Sequence, residues 1–159
     1  GSPEELWRLQ GDAGYASAGV SGPYLYLTGE DQTVHAVDLR SGKRAWRQLL
    51  PTALTGRPVR MGNVVYVSGK NGKVYFLDAS TGESGGTYET GGPILGGVTS
   101  SGALLLFGSD DQSLHAFDPA LGETAWRWRN KGRLRNPAVA AGGMVYFCGD
   151  DTLYAIELN

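Results

Sequence analysis

The chain has 159 residues, of which 41% are hydrophobic, which sets aside disorder and suffices for the buried core of a single domain. Its net charge of −2, with both signs interspersed, gives no electrostatic case for a nucleic acid or an anionic membrane surface. No apolar run is long enough to span a bilayer, and a lone Cys148 excludes an internal disulfide.

Gly1-Ser2 resembles the scar left when an expression tag is removed, so the natural sequence is expected to run over 3–159, with whatever precedes it open. Glu4-Glu5-Leu6-Trp7-Arg8 follows, and from residue 15 the chain repeats. An innermost strand A is expected at Ala16-Ser17-Ala18-Gly19-Val20, Pro58-Val59-Arg60, Gly97-Val98-Thr99 and Pro137-Ala138-Val139. Each ends in a turn at Gly22, Gly62, Gly102 or Gly142, four glycines spaced 40 apart, which points to one repeated backbone conformation with positive φ.

Strand B is short and apolar in every copy, as in Tyr24-Leu25-Tyr26-Leu27 and Val64-Val65-Tyr66-Val67, and reads as buried on both faces. Polar hairpin turns come next: Glu30-Asp31-Gln32-Thr33, Lys70-Asn71-Gly72-Lys73, Asp110-Asp111-Gln112-Ser113 and Asp150-Asp151-Thr152. Their acidic residues lack the spacing of a calcium loop, and no metal is expected there.

Strand C and the opening of strand D carry the repeat's signature. His35-Ala36-Val37-Asp38 leads through Gly42 to Trp46, and His115-Ala116-Phe117-Asp118 leads through Gly122 to Trp126. The copy at Asp78 and Gly82 has Gly86 where the tryptophan belongs. Asp38, Asp78 and Asp118 lie 40 apart, and Glu157 follows 39 later. Four antiparallel strands at a fixed period make a propeller blade. The expected blades are about 15–49, 55–90, 95–130 and 135–159. The last lacks strand D, and residues 4–10, with Trp7-Arg8, are its expected outer strand, because a blade edge left open invites aggregation.

The Ala-x-Asp-x-x-x-Gly-x-x-x-Trp pattern resembles the tryptophan-docking repeat of the pyrroloquinoline-quinone-like β-propeller superfamily. It is complete at Ala36 to Trp46 and at Ala116 to Trp126, partial at Asp78 and Gly82, and split between the termini at Ala155 and Trp7. The resemblance implies structural roles for Trp7, Trp46, Trp126, Asp38, Asp78, Asp118, Gly42, Gly82 and Gly122. It also implies rings of seven or eight blades, whereas this chain supplies four. A closed four-bladed ring, a fragment of a longer propeller and a homodimer are all compatible with that count. The homodimer, in which exchanged N-terminal strands complete an eight-bladed ring, is the expectation.

The superfamily includes quinoprotein dehydrogenases, an outer-membrane assembly lipoprotein and sensor domains of bacterial serine/threonine kinases. Its dehydrogenases need a vicinal disulfide that a single cysteine cannot form, so no quinone and no other cofactor is expected. The expected role is a non-catalytic module, first a kinase-linked sensor, with the assembly scaffold and a quinoprotein fragment as alternatives. Resemblance also favours an extracytoplasmic location.

His35 and His115 share a slot with Tyr75 and Tyr154, which argues for an aromatic filler rather than a catalytic pair. The loops entering strand A ring a propeller's funnel. There Tyr15, Arg57, Arg133 and Arg135 are the candidates to bind an anionic small ligand or a protein segment.

Overall fold

In the computed structural model, which describes residues 2–158, fifteen strands form four antiparallel sheets, each a simple meander. Blade 1 holds β1 (Tyr15–Ser21), β2 (Tyr24–Gly29), β3 (Thr33–Asp38) and β4 (Arg44–Leu49). Blade 2 holds β5 (Leu54–Met61), β6 (Val64–Gly69), β7 (Lys73–Asp78) and β8 (Ser84–Glu89). Blade 3 holds β9 (Thr99–Ser101), β10 (Leu104–Ser109), β11 (Ser113–Asp118) and β12 (Glu123–Arg129). Blade 4 has three strands, β13 (Val139–Ala141), β14 (Met144–Gly149) and β15 (Thr152–Glu157).

Local chemistry accounts for the period. Gly22, Gly62, Gly102 and Gly142 have φ of 59°, 60°, 57° and 60°, the single turn conformation that their spacing implies. The innermost strands of blades 3 and 4 begin two residues later than expected. Gly97 has φ of 81°, outside the β region, and Pro137 has no N–H to give a ladder.

The core is divided among the seams between blades. Tyr26, Val34 and Trp46 pack on Val65, Val67 and Leu77 at the first seam. Tyr66 and Val74 meet Leu105, Phe107 and Phe117 at the second, and Leu106 and Leu114 meet Val145 and Phe147 at the third. Each such side chain contributes about 1.5–3 kcal/mol when taken fully out of water.

Four blades share three seams, and no fourth cluster joins blade 4 to blade 1 among the described residues. The blades therefore form an open arc. Tyr146 of β14 is 41% exposed, whereas Tyr26 and Tyr66, its equivalents in blades 1 and 2, are 1% and 4% exposed. Ala155 is exposed where Ala36 and Ala116 are buried.

The N-terminal segment does not complete blade 4 within the chain. Residues 4–10 form no ladder; they run toward blade 1 with Trp7, Leu9 and Gly11 half-buried and the residues between them exposed. That period of two is the burial pattern of an extended strand laid on a surface.

Candidate functional site

The turn between the third and fourth strands of each blade builds a recurring structure. Asp38 Oδ1 accepts the backbone N–H groups of Arg40 and Ser41 and the hydroxyl of Ser41. Asp78 Oδ1 accepts from the N–H groups of Ser80 and Thr81, and Asp118 Oδ1 from those of Ala120 and Leu121. These bonds hold the Asp38 and Asp78 carboxyls below the usual carboxylate range; in Asp38 the Ser41 hydroxyl does most. The N–H of Gly42, Gly82 or Gly122 then closes the turn on the carbonyl of its own aspartate.

Each such turn is a seat for an indole. Trp46 leaves blade 1, lies against blade 2 and donates its Nε1–H to the Ala79 carbonyl at 2.9 Å. Trp7 does the same on blade 1, donating to the Leu39 carbonyl at 2.9 Å. The turn glycine is obligatory for space as well as for φ. A Cβ on Gly82 would come within 2.5 Å of the Trp46 ring, and one on Gly42 within 2.6 Å of the Trp7 ring.

The third seat differs. Gly122 has the same conformation, φ 72°, yet a Cβ there would meet nothing within 4 Å. The tryptophan that would fill it is Gly86. Phe76 stands where blades 1 and 3 carry Ala36 and Ala116, and its ring leans on Phe117 and Tyr66, with centroids 5.3 and 5.2 Å away. A cavity of about 360 Å³ remains, lined by Val64, Phe76, Gly85, Phe117, Pro119 and Gly122 among others. Trp126 faces blade 4, beside Ile156 and Leu158.

The histidines sit in polar braces. His115 Nε2 donates to Asp111 at 2.9 Å, which leaves Nδ1 to accept from the Tyr88 hydroxyl at 3.1 Å. Tyr75 occupies the equivalent slot and accepts from Asn71, while His35 bonds Thr33. Burial lowers the pKa of both histidines; Arg44 and Arg47 lower that of His35 further, while Asp111 partly restores that of His115. Burial works to raise the pKa of the Asp111 carboxyl, but His115, the Gly91 N–H and Arg127 carry it below the ordinary value. Arg47 and Arg127, the residues after the tryptophans, pair with Asp31 and Asp111 of their own blades, so these arginines lock the hairpin turns. No group of three metal-ligating side chains occurs among the described residues.

The four funnel candidates are scattered. Arg57 lines three small cavities along the inner strands, with Gly19 and Ser21 in one and Thr99 and Val139 in the others. Arg135 makes a two-pronged bond to Asp110, pinning its loop to blade 3. Arg133 is exposed. The Tyr15 hydroxyl is buried without a hydrogen-bond partner, its ring edge-on to His35 at 5.5 Å. None of the cavities described above brings two of them together. The vacant seat lies at the opposite end of the blades from these loops, because Tyr24 pairs with Asp38 and sets the turn at Gly42 beside that at Gly22. Gly86 was its one sequence signal, and the missing ring could be weighed only once Phe76, Phe117 and Gly122 were in one place.

A family model described as outer membrane protein assembly factor BamB matches residues 2–95 and again 70–159. The chain belongs to that family. The crystal structure of BamB from Moraxella catarrhalis superposes at a TM-score of 0.85 and 19% identity, over 96% of this chain and 49% of that one, so the chain spans about half of its length. A computationally designed protein, Ika4, gives 0.86 at 15% identity over 99% of this chain and 100% of that one. A chain of a mitotic checkpoint complex gives 0.79 at 16% identity, over 96% and 50%. At these identities the likeness is one of fold, a β-propeller of PQQ-like repeats. No curated protein matches the sequence.

Proposed function

We propose that this chain is a non-catalytic, protein-binding scaffold module, and that the partner closing its arc is a second copy of itself. The single observation carrying this is Tyr146, 41% exposed on blade 4 although its equivalents in blades 1 and 2 are buried to 1% and 4% exposure. A face built to be covered is open at one end of the arc. At the other end an extended segment already has its tryptophan in a seat, as the outer strand of a preceding blade would. Two arcs related by a two-fold axis would give each N-terminal segment an edge at the partner's β15 and bury both faces. The structural use of His35, His115, Asp31 and Asp111 in turns and braces supports binding rather than catalysis, with no quinone involved.

Family membership favours the envelope-assembly scaffold, outside the cytoplasm, over the kinase-linked sensor and the quinoprotein fragment. Light scattering on a sizing column across a concentration series tests the closure. Twice the 16.9 kDa chain mass is expected, falling to the chain mass in Trp7→Ala. A monomer at every concentration overturns it.

A further inference from the structure

We propose that the vacant seat between blades 2 and 3 is a binding site for a tryptophan side chain presented by a cationic, extended segment of a partner protein. This deepens the protein-binding reading above by naming the partner's chemistry, and its site lies away from both ends of the arc.

The chain itself supplies the template. Two seats of the same construction are each filled by an indole that lies on the turn glycine and donates Nε1–H to the carbonyl one residue after the aspartate, Leu39 in one and Ala79 in the other. In the third, the corresponding carbonyl is that of Pro119, and no side chain among the described residues reaches it. Gly122 has the positive φ of the filled seats, and a Cβ there would meet nothing within 4 Å, so the space over this turn is open.

The surroundings are opened as well. Val64 stands where blade 1 has Tyr24, and Gly85 where it has Ala45, so the mouth is wider than at the filled seat. Phe76 and Phe117 add aromatic walls that favour an offset or edge-on ring. The volume of about 360 Å³ falls in the range, roughly 300 Å³ upward, of small-ligand pockets. Asp78 is the one charged side chain in its lining, and it stays ionised because the turn N–H groups lower its pKa. A tryptophan flanked by lysine or arginine therefore suits the site, and one flanked by glutamate does not.

The test titrates the isotope-labelled full chain with N-acetyl-tryptophanamide and with two short peptides, Lys-Trp-Arg and Glu-Trp-Glu, each capped at both ends, followed by backbone amide NMR. Saturable shifts centred on Val64, Gly85 and Gly122 are expected, with the cationic peptide binding more tightly and losing that advantage in salt. Gly85→Phe, at a position without a positive φ, and Val64→Tyr, which copies blade 1, should each weaken binding by about tenfold or more while the remaining spectrum is kept. No saturable shift at millimolar probe overturns the proposal. So do shifts that survive both variants, because the ring then sits elsewhere. Equal affinity for the two peptides overturns its charge requirement. A monomer that binds the probe keeps this inference and removes self-closure; a dimer that ignores it does the reverse.

Discussion

The first and second seams solve one packing problem in two ways. Between blades 1 and 2, alanine at 36 leaves room for the Trp46 indole, which reaches across and bonds the Ala79 carbonyl. Between blades 2 and 3, phenylalanine at 76 takes part of that room from within its own blade, and Gly86 contributes nothing. The first arrangement ties two blades with a ring and a hydrogen bond. The second packs rings against rings but leaves the turn at Gly122 unoccupied. A repeat can thus exchange a strut for a pocket by two substitutions in facing strand positions, since Phe76 pairs with Gly86 as Ala36 pairs with Trp46.

The largest expected effect comes from cutting the strut. Trp46→Ala should cost about 3–5 kcal/mol, because it leaves a cavity at a buried site and an unmet Ala79 carbonyl. Urea unfolding measures it, and a loss below about 1 kcal/mol would mean that the seam holds without the ring.

A sharper comparison uses the glycines. Gly82→Ala and Gly122→Ala carry the same backbone penalty, φ being 78° and 72°, worth about 1–2 kcal/mol each. Only Gly82→Ala also drives a methyl into an indole, so it should be the more destabilising by a clear margin. Equal losses would mean that the third seat is not empty in solution.

The smallest effect is in pH. Both histidines have folded pKa values below the ordinary 6.5, with burial the main cause, so the unfolded chain takes up protons first as pH falls. Their contribution is complete above pH 6.5 and is lost as the pH drops from there through the folded values. Urea midpoints from about pH 8 to about pH 5 should decline, and less steeply in His35→Tyr, which copies the Tyr75 slot. An unchanged slope in that variant would place the titration elsewhere.

Much of the architecture was legible in one dimension. A turn that needs positive φ marks itself with glycine, and a strand covered on both faces marks itself with a continuous apolar run, so Gly22, Gly62, Gly102 and Gly142 beside the B strands located every blade. The aspartates at 38, 78 and 118 stood out by their spacing of 40, and that each closes an Asx turn on residues two and three positions away came from the structure. The funnel arginines were not legible: Arg135 is spent on Asp110, 25 residues distant, and spacing carries no sign of that pairing.

What the sequence by itself determined is therefore the blade, its period and the residues that shape its turns, since these depend on contacts within a few positions or at one repeat's distance. Only the tertiary structure decided that the arc stays open at Tyr146, that Trp7 seats on blade 1 while its segment forms no ladder with β15 of the same chain, and that the third seat is vacant. Those outcomes depend on which surfaces meet across seams and on how much volume two facing side chains leave between them. Volume is a property of the packed assembly, and no single strand records it.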